Sequence, residues 1–465
     1  MNKDLYPERV ILSIDLKSFF ASCECVDRGL DPFSYPLVVA NPYQGGGAIT
    51  LAVTPYLKKQ GVPSRGRIFE IPKGIKYNIV PPRMSLYIKK SKEVVSVYLD
   101  YIAREDLYPY SIDECFLDLT HYMKLYKKTD IEIAEEILQS ITKKTGLTAT
   151  CGIGPNILLA KIAMDTEAKK YKNGIAKWTY DSIQDKLWSI SPLHKMWGIG
   201  PRMEKRLNAL GIYKVEDLAK YDAAKLKKKF GVMGTELWER ANGIDLSVIK
   251  DLNNNIEEEK SYSNSQVLFK DYDSSNIEII IDEMIQVVTK RVRENKKEAR
   301  KIGLRIGYSA SIGGGFYHVI KLDQPSDKES VFKEYAMLLF DRYYNNQPIR
   351  IVGFAATDLI DKESLQLNLF EPFEEVKKED DKNEVIDIIQ NKFGKNSLLK
   401  ASSLLKDSTI HERNKKIGGH AEWQNGHHLI PSLILVLWLM MLTIIKTLYQ
   451  SQLYLKINYI ILVLD

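Results

Sequence analysis

Arg9-Val-Ile-Leu-Ser-Ile-Asp15-Leu-Lys-Ser-Phe-Phe20-Ala-Ser-Cys-Glu24 changes its period halfway along. Residues 9–14 form an apolar run of strand length, and from Asp15 onward the apolar positions fall at helical spacing. The spacing predicts a carboxylate at the end of a buried strand, where the chain turns into a helix. A second stretch, Tyr110-Ser-Ile-Asp113-Glu114-Cys-Phe-Leu-Asp118-Leu119, reads as a strand hairpin in which Phe116 and Asp118 alternate with apolar Cys115, Leu117 and Leu119.

Around these two stretches the pattern is mixed. Leu37 to Ala40, the Gly45-Gly46-Gly47 turn and Ala48 to Val53 read as a small αβ insertion reaching about Arg83. Ile131 to Thr145 reads as an amphipathic helix leading into a strand at Thr148 to Gly152, followed by helices after Pro155 and a strand near Ile175. This mixture predicts one α+β sheet domain. From Asp181 to about Asn242 the pattern is helical with glycine stops, and the Asn- and Glu-rich run from Leu246 to Glu259 reads as a linker. Another mixed unit follows from Ser261 to Leu359, with helical spacing over Ile277 to Asn295 and Ser330 to Tyr344.

The chain has 465 residues, too many for one core, and three or four domains are expected. Its 66 Lys and Arg against 60 Asp and Glu leave a net charge of +6, which suits a polyanionic partner without demanding one. Cys23, Cys25, Cys115 and Cys151 form no CxxC pair, which argues against structural zinc and a disulfide framework and for a reducing cytoplasm. Met1 to Arg9 lacks the apolar core of a signal peptide, so export is not expected.

Three acids in two β contexts, Asp15, Asp113 and Glu114, carry the chemistry. Two-metal phosphoryl transfer needs carboxylates on rigid supports because the paired ions sit roughly 3.5–4 Å apart. Oxygen-only ligands imply Mg²⁺, or Mn²⁺ in its place. The plain alternative makes Asp15 a helix cap and Asp113-Glu114 a solvated turn, but acids in apolar strands are costly unless something positive compensates them. Adjacent acids in a regular strand face opposite ways, so Glu114 needs a twist or turn to reach the site that Asp113 faces.

Asp15-Leu-Lys-Ser-Phe-Phe-Ala-Ser together with Ser111-Ile-Asp-Glu-Cys resembles the two palm motifs of Y-family, lesion-bypass DNA polymerases, and in style the bacterial Umu-type and Gram-positive plasmid- or phage-associated branches. The similarity runs over roughly residues 8 to 420. It implies a multidomain right-hand polymerase: palm at 8–27 and 84–178, small fingers at 28–83, helical thumb at 179–245, linker at 246–258 and α/β little finger at 259–359. Beyond these come a flexible tail at 360–420 and an apolar tail of doubtful origin at 421–465. The resemblance implies two metal ions on Asp15, Asp113, Glu114 and the Leu16 carbonyl. Lys17 departs from the family pattern, which more often has an acid or amide there. The implied activity is error-prone translesion synthesis in DNA repair and the SOS response, on primer-template DNA with dNTPs.

By the same resemblance Phe20 is the steric gate against a 2′-hydroxyl, and the amides of Ser18, Phe19 and Phe20 suit triphosphate oxygens. Phe19 is equally read as a core aromatic. Thr54-Pro-Tyr56-Leu-Lys58 is similar to the fingers motif that holds the triphosphate, although Pro55 rather than Tyr56 falls on the usual tyrosine position. Lys169 matches the palm lysine on the same phosphates, with Lys170 and Lys172 as alternatives. Trp197-Gly198-Ile-Gly200-Pro-Arg202-Met-Glu-Lys205 looks like a helix-hairpin-helix, whose glycines let backbone approach a DNA phosphate. Gln366-Leu367-Asn-Leu369-Phe370 resembles a sliding-clamp binding peptide. The resemblance also implies accessory SOS proteins as partners.

Gln424 to Ile445 has no Asp, Glu, Lys or Arg, long enough to suggest a membrane anchor; a frame disruption is the preferred reading, and a membrane is not expected as a partner. Two rivals stand beside the polymerase: a catalytically inactive DNA- or clamp-binding regulator of the same fold, and a palm-fold cyclase, against which the DNA-gripping motifs speak.

Overall fold

The computed structural model describes residues 6–254, 260–362, 373–417, 420–421 and 459–460. They form two compact units that divide between residues 254 and 260.

The first unit is built on a five-stranded sheet. Its strands are β1 (Ile11–Leu16), β2 (Leu107–Pro109), β3 (Glu114–Asp118), β4 (Ala149–Gly154) and β5 (Ile175–Lys177), in the order β5-β4-β1-β3-β2. β1 lies in the middle because nearly every side chain in Ile-Leu-Ser-Ile-Asp-Leu is buried, as a strand covered on both faces requires. It runs antiparallel to β3 and β4, with Asp15 opposite Glu114 on one side and Thr150 on the other.

Helix α1 (Phe19–Asp27) follows β1 directly, and α2 (Asp130–Thr145) starts with a Thr129/Glu132 capping box and ends at Gly146. Helix α3 (Ile157–Thr166) is capped by the Asn156 side chain, which accepts from the Leu159 amide at 2.8 Å. It lies hard against β4. A Cβ at Gly152 would collide with the backbone of Ala160 and Met164, so only glycine lets this helix come so close.

The insertion after α1 is built around a small sheet with Leu37–Val39 in the middle and a core of Val38, Val53, Leu57 and Val62. The helical region after residue 180 packs Leu193, Met196, Ile199, Leu207, Leu226 and Leu237 together. The expected linker is corrected in its first half. Ile249–Asn254 is a helix whose Ile249 is 1% exposed, packed with Ile11, Phe116 and Ile157, and Asn253 donates to the carbonyls of Glu105 and Leu107. One buried isoleucine outweighs the polar composition around it.

The second unit has a four-stranded antiparallel sheet: β6 (Ser261–Tyr272), β7 (Lys297–Tyr308), β8 (Gly315–Ser326) and β9 (Ile349–Asp361), in the order β6-β9-β7-β8. Helices α4 (Ile277–Glu294) and α5 (Glu329–Tyr343) share its core through Ile280, Met284, Val288, Phe332 and Phe340. The tail expected to be flexible from residue 360 is corrected too. Residues 373–393 form a helix, and the chain beyond it docks on α4. Glu283, 2% exposed, accepts from Ser408 Oγ at 2.7 Å and the Thr409 amide at 3.0 Å, and pairs with Arg413 at 3.4 Å. Arg293 pairs with Asp387 at 3.0 Å. Acid-rich sequence reads as disorder only until its acids meet bases from elsewhere in the fold. The clamp-like peptide 366–370 and the apolar stretch 424–445 lie outside the described residues.

Gly152→Ala is expected to lose about 3 kcal/mol of stability, since backbone rather than a movable side chain blocks the added methyl. Denaturant titration against the parent protein checks this.

Candidate active site

Asp15 and Glu114 are cross-strand neighbours at one end of β1 and β3. Asp113 sits just before β3, in the turn that closes the hairpin, where the amides of Tyr110 and Ser111 both donate to the Glu114 carbonyl. Strand alternation therefore does not apply to the pair, and the turn supplies the change of direction that two adjacent acids need. The turn is tied to β1 by the Leu16 amide, which donates to the Asp113 carbonyl at 3.0 Å, and Ser111 Oγ donates to Asp113 Oδ1 at 2.7 Å. The Leu16 side chain is core.

Two lysines stand among these acids. Lys169 Nζ lies 2.9 Å from Asp15 Oδ2 and 2.8 Å from Asp165 Oδ1. Lys161 Nζ lies 2.7 Å from Glu114 Oε1 and 3.0 Å from Asp165 Oδ2. An unbroken chain of ion pairs thus runs Asp15, Lys169, Asp165, Lys161, Glu114. Lys161 and Asp165 were not singled out from sequence. The available signal was Lys161-x-x-x-Asp165-x-x-x-Lys169, a charged ladder at helical spacing, with Lys161 inside the otherwise apolar Ile157 to Met164. Lys170 and Lys172 are exposed and form no ion pair among the described residues.

Burial raises the carboxyl groups of Asp15 and Glu114 above the usual carboxylate value, with Lys169 and Lys161 pulling the other way and Asp113 adding its repulsion at Asp15. Burial also works against the charge on the two lysines, but their carboxylate partners outweigh it and hold both above the ordinary lysine value. Asp15, Asp113, Glu114 and Asp165 carry more negative charge than Lys161 and Lys169 neutralise, and the donors are hard oxygens, a set that fits Mg²⁺ or Mn²⁺. Among the described residues no three acids, histidines or cysteines already form a metal cage; ammonium groups lie between the carboxylates instead.

The remaining candidates surround this centre unevenly. Lys58, on the short helix Pro55–Lys59, has its proton affinity lowered by burial and feels Asp15, Asp113 and Lys169. Tyr56 packs on the core of the small sheet around Val38, Val53 and Leu57. Lys17 is half-buried, and burial and the neighbouring Lys59 lower its proton affinity. Ser18 starts α1 in the left-handed region at φ 49°, and its buried hydroxyl has no hydrogen-bond partner among the described residues. Phe19 is 3% exposed and belongs to the core. Phe20 is partly exposed and stacks on Tyr87, with ring centroids 4.5 Å apart. Tyr87 in turn donates to buried Glu24 at 2.6 Å, and Arg83 binds the same carboxylate at 2.6 Å. Neither Glu24 nor Tyr87 was marked from sequence, because each makes sense only with the other.

Away from the acids, Gly198 holds φ 91° and Gly200 precedes the helix Pro201–Asn208, on which Arg202 and Lys205 are exposed.

The chain matches the impB/mucB/samB family over residues 14–165, the C-terminal domain of that family over 259–369, and the IMS family HHH motif over 180–212. It is 38% identical over 418 residues to UvrX, a Bacillus subtilis protein named for UV-damage repair, covering 89% of this chain and 98% of the relative. It is 33% identical over 419 residues to DNA polymerase IV 2 of Bacillus subtilis, covering 89% and 99%. Among solved structures it superposes on a Y-family DNA polymerase chimera with a TM-score of 0.60 and 22% identity, covering 76% of this chain and 99% of that one.

Removing the Lys161 ammonium strands Glu114, whose side chain is only 10% exposed. Lys161→Met is expected to cost about 3 kcal/mol, and adding Glu114→Gln should recover much of it, because the penalty belongs to an unpaired buried charge. Denaturant titration of the single and double variants measures both.

Proposed function

The chain belongs to the impB/mucB/samB family of Y-family DNA polymerases, and from that premise we propose that it extends primers across damaged template by two-metal phosphoryl transfer at Asp15, Asp113 and Glu114. It is a DNA-directed DNA polymerase, and primer-template DNA and dNTPs are its substrates. The observation that carries the reading of the site is the register pairing of Asp15 with Glu114, next to Asp113 in the closing turn.

In this reading Asp15, Asp113, Glu114 and the Leu16 carbonyl hold a pair of Mg²⁺ or Mn²⁺ ions, which when bound supply Lewis-acid activation of the primer hydroxyl and stabilisation of pyrophosphate. Lys58 and Lys169 neutralise the triphosphate, and the amides at the start of α1 receive its oxygens. Phe20, held flat by Tyr87, lies under the sugar and excludes a 2′-hydroxyl. Gly198, Gly200, Arg202 and Lys205 grip a DNA phosphate without reading sequence. A relative named for UV-damage repair supports synthesis on damaged template, and the proposal extends to error-prone synthesis in the SOS response, with Gln366, Leu367, Leu369 and Phe370 recruiting a sliding clamp and accessory proteins assisting. Four free, buried cysteines support a cytoplasmic location, and no helix among the described residues is long and apolar enough to cross a membrane.

Asp113→Ala and Glu114→Ala are each expected to slow primer extension roughly a thousandfold, and chelating the divalent ion should stop it altogether. Parent-like extension by either variant would end this account, whereas DNA binding without nucleotide incorporation by the parent would select the inactive regulator. Phe20→Ala should raise ribonucleotide incorporation at least tenfold relative to the parent, on the order of one lost steric contact, in a single-nucleotide extension assay.

A further inference from the structure

The two lysines among the acids are not equivalent. Lys161 is 9% exposed and lies between Glu114 and Asp165, so it has nowhere else to go. Lys169 is 43% exposed, sits on the turn after α3, and divides its ammonium between Asp15 at 2.9 Å and Asp165 at 2.8 Å. Letting go of Asp15 would still leave it a carboxylate partner. Asp165 itself is braced from the other side by Lys161, at 3.0 Å, so that second seat is held in place whatever happens at Asp15.

A divalent cation on Asp15 needs the carboxylate oxygen at about 2.1 Å, and an ammonium within hydrogen-bond distance of the same group opposes it by direct charge repulsion. A nucleoside triphosphate changes the balance, because its oxygens accept an ammonium and bind the same cation. We propose that Lys169 competes with the divalent cation for Asp15, that Asp165 is the seat it keeps when Asp15 is given up, and that triphosphate arrival relieves the competition. Metal entry at Asp15 is thereby coupled to nucleotide entry. Lys161 takes no part in the exchange and serves as the fixed cation of Glu114. The inference rests on the reading of Asp15 as a metal ligand.

The test is a titration of the full-length, nucleotide-free protein with Mn²⁺, followed by the loss of the free-ion electron paramagnetic resonance signal. Lys169→Met is expected to tighten Mn²⁺ binding on the order of tenfold, as loss of one contacting charge should. Lys169→Arg, which keeps the charge, should stay within about twofold of the parent, and Lys58→Met, which removes a charge from the same field without an ion pair to Asp15, should change it by less than about threefold. Equal tightening by Lys58→Met and Lys169→Met overturns the competition in favour of a general field effect. So does a Lys169→Met protein that binds Mn²⁺ no better than the parent while Asp15→Ala binds it more weakly, and in that case Asp15 remains a metal ligand. If Asp15→Ala leaves Mn²⁺ binding unchanged, both the competition and the metal-site reading fall together.

Discussion

The arrangement of the first unit depends on keeping carboxylates charged at the end of a covered sheet. Asp15 and Glu114 face one another across central strands that are buried on both sides, so water cannot compensate them fully. Lys161 and Lys169 do so instead, through Asp165. That requirement sets the packing, since the helix carrying Lys161 must lie directly on β4, and glycine at residue 152 is what permits the approach. Electrostatics, backbone geometry and chemistry thus impose one condition on this end of the sheet.

The same logic recurs one layer out. Phe20 could rotate freely at the start of a helix, but Tyr87 stacks on it and is itself held by Glu24, whose charge is met by Arg83 and Arg28. A buried acid thereby fixes an aromatic ring through Tyr87. In the second unit Glu283 plays a comparable part, gathering Ser408, Thr409 and Arg413 onto α4 and so ordering chain that composition alone would leave loose.

Where sequence reading succeeded, the signal was local. The strand ending at Asp15, the acidic hairpin, the glycines of the helical region and the two helices of the second unit all show their period within a window of a few turns. Where it failed, distant contacts decided the matter. Ile249 turns half of a polar linker into a packed helix, and Asp387 and Arg413 turn an acidic tail into part of a folded unit. Tyr56 and Lys58 share one short helix, yet Lys58 feels the acids while Tyr56 packs on the core around Val38 and Leu57, a distinction of direction that one-dimensional spacing does not contain.

By itself the sequence determined that three acids would stand at strand and hairpin ends, because burial patterns and turn chemistry are properties of neighbouring residues. Only the tertiary structure decided which cations answer them. Any of the lysines between 161 and 172 could have served equally well on charge alone, and the choice of Lys161 and Lys169 follows from where α3 lies on the sheet. Periodicity is written along the chain, whereas the pairing of Lys169 with Asp15, far apart in the sequence, exists only once the fold has brought them to 2.9 Å.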